Sequence, residues 1–429
     1  MEPWQARRVQ NWAGNLDYAA HTLARPSTLD ELATVLAAGG PVRPLGSRHS
    51  FNDIADTTGT HIQVDRLDDG RPAVDVDPDT GVVSVNAGLR YGEVSRALQL
   101  QGRGLGSLAS LPHISVAGAV ATATHGSGDT NRSLAGDVVG LEIMTTAGEL
   151  HRLSRASDPE VFSGAVVSLG ALGIVTRVEL ETRPTFDVRQ DVAVDVPWET
   201  VLGAFDDVTG AAYSVSLFTS WDEPAVRHVL FKSLVPVEAA AGTSERPEPV
   251  DGLRWATTPV HPLPGVDAAA CTEQLGAAGP WHERLSHFRL EFTPSSGAEL
   301  QTEYLLPRRH AVAAIEGVRR LAPQVAPLLQ TCEIRTVAAD DLWLSPFAED
   351  SVALHFTWHQ RDAEVAAVLP AIEDTLLPLG AKPHWGKLFA IDPAELGALY
   401  ARFGDFRALA ERFDPAGRLH GGYLARLLG

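Results

Sequence analysis

The segment Gly46-Ser47-Arg48-His49-Ser50-Phe51-Asn52 places a histidine inside a Gly/Ser turn that follows a short apolar run, Val42 to Leu45. Backbone N–H groups of such a turn can form a nest for phosphate, and a histidine there sits beside whatever carries the phosphates. The same residues also describe a surface turn with an incidental histidine, and spacing alone weighs the two readings evenly. A second stretch, Ser107 to Gly128, is almost entirely small from Ser115 onward. Small side chains let a backbone approach a large flat ligand or its phosphates. They equally suit a helix packed tightly under a sheet.

Further along, Glu333 and Arg335 are two apart in a strand-like run and so share a face. His355 and Thr357 share another, while Leu354, Phe356 and Trp358 point the opposite way into a core. His384-Trp385-Gly386-Lys387 puts a histidine and a lysine at a tight turn. Converging, these groups would line a cleft with hydrogen-bonding capacity and little net charge, suited to a neutral polyhydroxylated molecule. The competing reading is a solvated face whose ion pair is worth roughly 0–1 kcal/mol. Trp343, Phe356 and Trp385 nearby favour a covered site.

Other chemistries are excluded. Gly102, Gly104 and Gly106 follow a helix rather than a strand, and Gly126-Ser127-Gly128 lacks a third glycine, so no standard NAD site is present. There is no Walker loop, HExxH or CxxC, and no metal site is expected. His282 and His287 are five apart, the wrong spacing for one helical face, and read as packing or surface histidines.

These motifs must be held by a mixed scaffold. Ala73–Asp77 with Val82–Ala87, and Val138–Thr145 with Glu149–Leu153, read as hairpins; Tyr91 to Gln99 reads as a helix. Ile174 to Leu180 is a further strand. After a boundary near Thr185, strands are expected at Asp187–Val196, Tyr213–Phe218, Leu300–Leu305, Glu333–Val337 and Val352–Trp358. Helices are expected from Pro307 to Leu321, Glu364 to Leu377 and Pro393 to Phe413, the last capped by Asp392. The stretch from Val235 to Gly252 reads as an exposed loop. The pattern is α+β.

The chain of 429 residues carries a formal net charge of −19, which disfavours nucleic acid and anionic membrane as partners. Two distant cysteines, no apolar leader and no long apolar segment point to a cytoplasmic protein that does not enter a membrane.

Taken together the motifs resemble the vanillyl-alcohol-oxidase superfamily. The 46–52 segment is similar to its flavin-attachment motif. Ala109-Ser110-Leu111-Pro112-His113-Ile114-Ser115-Val116-Ala117-Gly118 and Thr124-His125-Gly126 resemble its aldonolactone and alditol oxidase branch. Trp281-His282-Glu283-Arg284, Phe292-Thr293-Pro294-Ser295-Ser296-Gly297, Cys332 to Thr336 and Pro383 to Lys387 resemble the bacterial alditol oxidases in particular. The resemblance spans nearly the whole chain. It implies a two-domain flavoprotein: an FAD-binding domain over 1–185, a cap domain with a large antiparallel sheet over 186–380, and a segment 381–429 returning to the first domain. It implies FAD bound covalently through His49. Pro44, Leu45, Gly46, Ser47, Arg48, His49, Ser50, Ser110, Ser115, Gly118, Thr122, Ala123, Thr124, His125 and Ile174 would contact the cofactor, with His384 approaching from the cap. Ser110, Glu333, Arg335, Thr357 and Lys387 would bind the substrate. The chain departs from the family at Arg48, where relatives often have glycine, and at His420-Gly421-Gly422-Tyr423 near its C-terminus.

The implied reaction is oxidation of the terminal primary alcohol of a small neutral polyol (xylitol, sorbitol or glycerol) to the aldehyde. Hydride goes to flavin N5, and O2 is reduced to H2O2 by a monomeric enzyme. Lys387, His355 and Arg335 are the expected catalytic residues, with His355 and Lys387 both open as proton acceptor. The alternatives are an aldonolactone oxidase or dehydrogenase on the same scaffold, and a flavin-binding protein without turnover.

Overall fold

In the computed structural model, residues 2–3, 9–236, 245–292 and 299–429 are described. Near the N-terminus, the short strands Thr22–Ala24, Thr60–Ile62 and Val42–Pro44 pair in parallel, which places the turn at Gly46 on the sheet's end. A five-stranded antiparallel sheet follows, ordered Val74–Val76, Val83–Asn86, Ile174–Leu180, Val138–Met144 and Leu150–Ser154. The two expected hairpins form its flanks, and Ile174–Leu180 joins them at the centre. The helix Tyr91–Leu100 buries Tyr91, Val94 and Leu98, as its periodicity predicts. The small-residue run yields one short helix, Val116–Ala121.

A nine-stranded sheet draws all its strands from Asp187 to Pro383. Its register decides the chemistry. Phe218, Glu333, His355 and Glu303 stand side by side on four neighbouring strands, and Thr331, Thr357 and Gln301 form the next row. Because strand side chains alternate, Cys332, Ile334, Leu354, Phe356 and Trp358 go to the opposite face. There they form a core with the helices Ala311–Arg320 and Asp362–Leu376.

Several expectations are corrected. Pro307 closes the strand Glu299–Pro307 instead of starting a helix; a 3-10 turn, Arg308–His310, precedes the helix at Ala311. The helix expected over 393–413 breaks into Pro393–Leu396, a 3-10 turn Gly397–Leu399, and Phe403–Phe413. The Phe403 ring packs so closely on Gly397 that a Cβ there would lie 2.5 Å from it, which folds the chain back. Asp392 is the cap expected, accepting from Ala394 N at 2.9 Å. A further helix, Gly422–Leu428, buries Leu424, Leu427 and Leu428. Phe356 belongs to the far-side core and Trp343 packs on Gly164, so neither covers a cleft. Residues 237–244 of the expected loop, and Thr293 to Gly297 of one family motif, lie outside the described residues. No helix among the described residues is long and apolar enough to cross a membrane.

The tail is tied to the first half by buried Arg43. Its NH1 donates to Gly170 O at 3.2 Å and to Leu419 O at 3.1 Å; its NH2 donates to Leu169 O at 2.8 Å and also to Ile54 O. Arg43→Met leaves these carbonyls without a donor. The expected outcome is a loss of about 3 kcal/mol of stability, read by chemical denaturation.

Candidate active site

The turn carrying His49 is fastened from several sides. Ser47 N donates to Ser115 Oγ at 3.3 Å, and Ser115 N donates to Ser47 Oγ at 3.1 Å, a reciprocal clamp between the two small-residue motifs. A Cβ at Gly46 would lie 2.3 Å from Ser115 Oγ, so only glycine permits this approach. Arg48 has φ 67°, the left-handed region in which glycine is preferred, so the turn keeps a conformation suited to glycine although arginine stands there. Trp12 stacks on the His49 imidazole at 5.0 Å, and His49 Nδ1 is 3.0 Å from Ser47 Oγ. Burial pushes the His49 pKa down to about 4, so its ring is neutral at ordinary pH.

A cavity of about 350 Å³ extends from this turn to the nine-stranded sheet. It is lined by Pro44, Leu45, Gly46, Ser47, Arg48, His49, Ser50, Ser110, Ser115, Gly118, Thr122, Thr124, His125, Ile174 and His384 from the expected cofactor set. Of the expected substrate-binding and catalytic residues, Glu333, Arg335, His355, Thr357 and Lys387 also line it. Ala123 does not: it is fully buried with φ 55°, and its small size serves packing. None of His420 to Tyr423 lines the cavity; Gly421 instead passes so close to Asp56 O that a Cβ would meet it at 2.5 Å.

At the sheet end the groups form one charged cluster. Its centre is Glu303, which the sequence reading missed. Oε1 accepts from Arg335 NH2 at 2.8 Å and from His125 Nε2 at 3.1 Å, and Oε2 meets Lys387 Nζ at 2.9 Å. Burial alone would raise the Glu303 carboxyl, but Lys387, His125 and Arg335 hold it well below the ordinary carboxylate range. Burial lowers the Lys387 ammonium, with Glu303 opposing that fall. Arg335 NH1 lies 3.4 Å from Ser110 Oγ. Glu333 is likewise ionised, and its Oε1 accepts from His287 Nε2 at 2.7 Å. Glu303 and Glu333 face the Arg335 guanidinium and the Lys387 ammonium, so the charges of these four groups balance.

His355 is the exception in this network. Neither of its ring nitrogens has a hydrogen-bond partner; the nearest acidic oxygen, Glu333 Oε2, is 3.7 Å away. Burial, reinforced by Lys387, lowers its pKa to about 4. The turn 384–387 is bonded to the His49 segment: Asn52 Nδ2 donates to Trp385 O at 2.9 Å and Lys387 O at 2.8 Å, and Phe51 N donates to Gly386 O at 2.8 Å. Asn52, Glu303, Gln301 and His287 were all missed. The alternation Glu299-Leu300-Gln301-Thr302-Glu303 carries a signal for the second and third of these. His287 carries none, because it lies in an irregular segment where helical spacing is the wrong test.

The chemistry of the lining fits a dinucleotide flavin. Hydroxyls of Ser47, Ser50, Ser115, Thr122 and Thr124 and the glycine backbone at 46 and 118 crowd one end, and the polar cluster occupies the other. No group of three or more metal-ligating side chains is present among the described residues.

The chain is similar to known proteins along nearly its whole length. Residues 20–154 match the FAD binding domain family, and residues 298–427 match the D-arabinono-1,4-lactone oxidase family. The chain is 47% identical to the alditol oxidase of a Streptomyces species over 98% of its own length and 99% of the relative's. It is 28% identical to L-gulono-1,4-lactone dehydrogenase of Mycobacterium tuberculosis and 24% identical to L-gulonolactone oxidase of Bos taurus, each over 98% of both chains. Its fold is that of the crystal structure of cholesterol oxidase from B. sterolicum, with TM-score 0.77 and 15% identity over 98% of this chain and 96% of that one.

Glu303→Gln removes the charge shared by Arg335 and Lys387 and leaves both cations buried. The expected loss is about 3–5 kcal/mol of stability. Glu316→Gln, at an exposed position of the helix Ala311–Arg320, serves as the control in the same denaturation experiment.

Proposed function

Because this chain belongs to the alditol oxidase family of FAD-dependent oxidoreductases, we propose that it oxidises the terminal primary alcohol of a small neutral polyol to the aldehyde. The observation that carries this reading is the charge-balanced cluster of Glu303, Glu333, Arg335 and Lys387 facing a cavity whose other end holds His49. Bound FAD supplies a two-electron acceptor that takes hydride from the carbinol carbon and delivers the electron pair to dioxygen, giving hydrogen peroxide. Residues 1–185 with the segment 381–429 form the FAD-binding domain, and 186–380 form the cap. His49, neutral and fixed by Trp12 and Ser47, is the covalent attachment point.

Ser110 and Lys387 position the reacting hydroxyl. Arg335, a planar multiple donor, and Glu333, an acceptor, take further hydroxyls, with Thr357 alongside. Lys387 is already committed to Glu303 as a donor. His355 is neutral above about pH 4 and has a ring nitrogen without a partner, so it takes the hydroxyl proton as hydride leaves. His384, just after the short strand Lys382–Pro383, closes the cavity on the side of the large sheet. A lactone-oxidising reading is favoured by the family match over 298–427; L-gulono-1,4-lactone and D-arabinono-1,4-lactone beside xylitol, sorbitol and glycerol in one peroxide assay separate the two. Peroxide from the lactones alone would overturn the polyol reading.

Two further outcomes are expected. Acid-precipitated protein stays yellow and the His49 peptide carries the mass of FAD, whereas His49→Ala releases its flavin on denaturation; a colourless wild-type pellet refutes the linkage. His355→Ala lowers the rate by ~10²–10⁴-fold. A base must be unprotonated to act, so wild-type kcat is flat through neutral pH and falls only as pH drops toward about 4. A fall centred near pH 7 in kcat would exclude His355.

A further inference from the structure

Behind the polar cluster, on the side away from the cavity, lies a buried amine. Lys232 is 1% exposed and sits on the strand Ala225–Val235, two strands from Glu333. Its three ammonium protons have three acceptors: Leu285 O at 2.5 Å, Ser286 O at 3.1 Å and His287 Nδ1 at 3.2 Å. An ammonium has no lone pair to offer, so Nδ1 must be the unprotonated ring nitrogen. The proton of neutral His287 is therefore on Nε2, which lies 2.7 Å from Glu333 Oε1 and donates to it. Burial and Lys232 both oppose a second proton on His287.

The consequence falls on the other oxygen. Oε1 of Glu333 is occupied from behind, and Oε2 is 3.7 Å from both Arg335 Nε and His355 Nδ1, beyond hydrogen-bond distance. Arg335 Nε and both nitrogens of His355 are without partners. One acceptor and two unpaired groups thus surround a space that a hydroxyl would satisfy, donating to Oε2 and accepting from Arg335. The segment holding His287 cannot drift: Ser286 Oγ donates to Ala109 O at 2.9 Å, His287 N to Ser110 O at 3.2 Å, and the Phe218 ring meets the imidazole edge-on at 5.5 Å.

We propose that Lys232 and His287 are positioning residues: the amine fixes the histidine tautomer, and the histidine fixes the Glu333 carboxylate so that Oε2 receives a substrate hydroxyl. This rests on the polyol reading given above. Lys232 is faced by Glu333, Cys271, Arg284 and Arg335, and burial brings its pKa down to about 7. Above that pH the amine has two protons for its three partners. The two protons stay with the Leu285 and Ser286 carbonyls, and the amine's lone pair accepts from His287 in its Nδ1–H form, which sets the bare Nε2 against Glu333. Substrate affinity therefore weakens as pH rises through about 7.

The test uses the flavin-loaded full chain with xylitol, four variants, and histidine 15N NMR without substrate. Glu333→Gln raises KM if Glu333 binds polyol at all. His287→Leu is expected to raise KM by about ten-fold or more with kcat within about three-fold, the scale of losing a hydrogen bond to a charged group. His287→Gln keeps a donor for Oε1 and should bring KM back to within about three-fold of wild type. Lys232→Met should abolish the rise of KM between pH 6 and 8. The spectrum should show a histidine signal, lost in His287→Leu, protonated on Nε2 and bare on Nδ1 below pH 7. Unchanged KM in His287→Leu, with KM raised in Glu333→Gln, overturns the relay alone. Equal damage in the Leu and Gln variants reduces His287 to a packing role and also overturns it. If Glu333→Gln leaves KM untouched, no substrate hydroxyl rests on Oε2, and the role given to Glu333 in the polyol reading falls together with the relay.

Discussion

A single carboxylate joins the two halves of this molecule at the place where chemistry would occur. Glu303, on the last long strand of the large sheet, holds Arg335 from a second strand of that sheet, Lys387 from the 384–387 turn, and His125 from the small-residue segment of the first half. Desolvating an ion costs several kcal/mol, and attraction repays this only where the geometry is good and the remaining lone pairs are used. Glu303 meets both conditions. A residue so placed contributes little as a stabiliser compared with an apolar pair of equal volume, but it allows one arrangement of its partners and penalises others. The relative position of the large sheet, the 384–387 turn and the segment bearing His125 is therefore constrained through this one carboxylate.

Asn52 extends the same constraint outward. Its amide bonds two carbonyls of the turn that carries His384 and Lys387, three residues after His49. The histidine at the cofactor end and the lysine at the substrate end thus share one rigid connection. The net charge of −19 plays no part inside, where Glu303 and Glu333 are matched by Arg335 and Lys387. An acidic surface and a neutral cavity are compatible because screening confines surface charges to a distance of ~8 Å at physiological ionic strength.

Much of this was legible beforehand, for definite reasons. Period-two alternation located the strands of Glu333 and His355 and the face each presents, because strand geometry leaves no other choice. The small-residue motifs and the 46–52 turn were legible as a family pattern before their mutual clamp through Ser47 and Ser115 could be seen. The helix expected over 393–413 failed because local propensity cannot register Phe403 folding back onto Gly397. Pro307 was ambiguous for a simpler reason: proline suits the first turn of a helix and the end of a strand alike. His287 was illegible in principle. Its partners, Lys232 and Glu333, lie 55 and 46 residues away, and nothing in its immediate neighbours marks it.

The unsatisfied groups of the cluster carry the specificity argument further than the satisfied ones. Arg335 Nε, both His355 nitrogens and Thr331 Oγ1 are buried without partners on the cavity wall. Each such group costs about 1–3 kcal/mol until a ligand pairs with it. A substrate bearing hydroxyls at the matching positions recovers that free energy, whereas a deoxy analogue of similar shape leaves the groups as they are. Discrimination of this kind is steeper than an apolar pocket achieves through fit. The cavity therefore selects by the number and placement of oxygens, and the rigidity imposed through Glu303 keeps those positions fixed while the substrate varies.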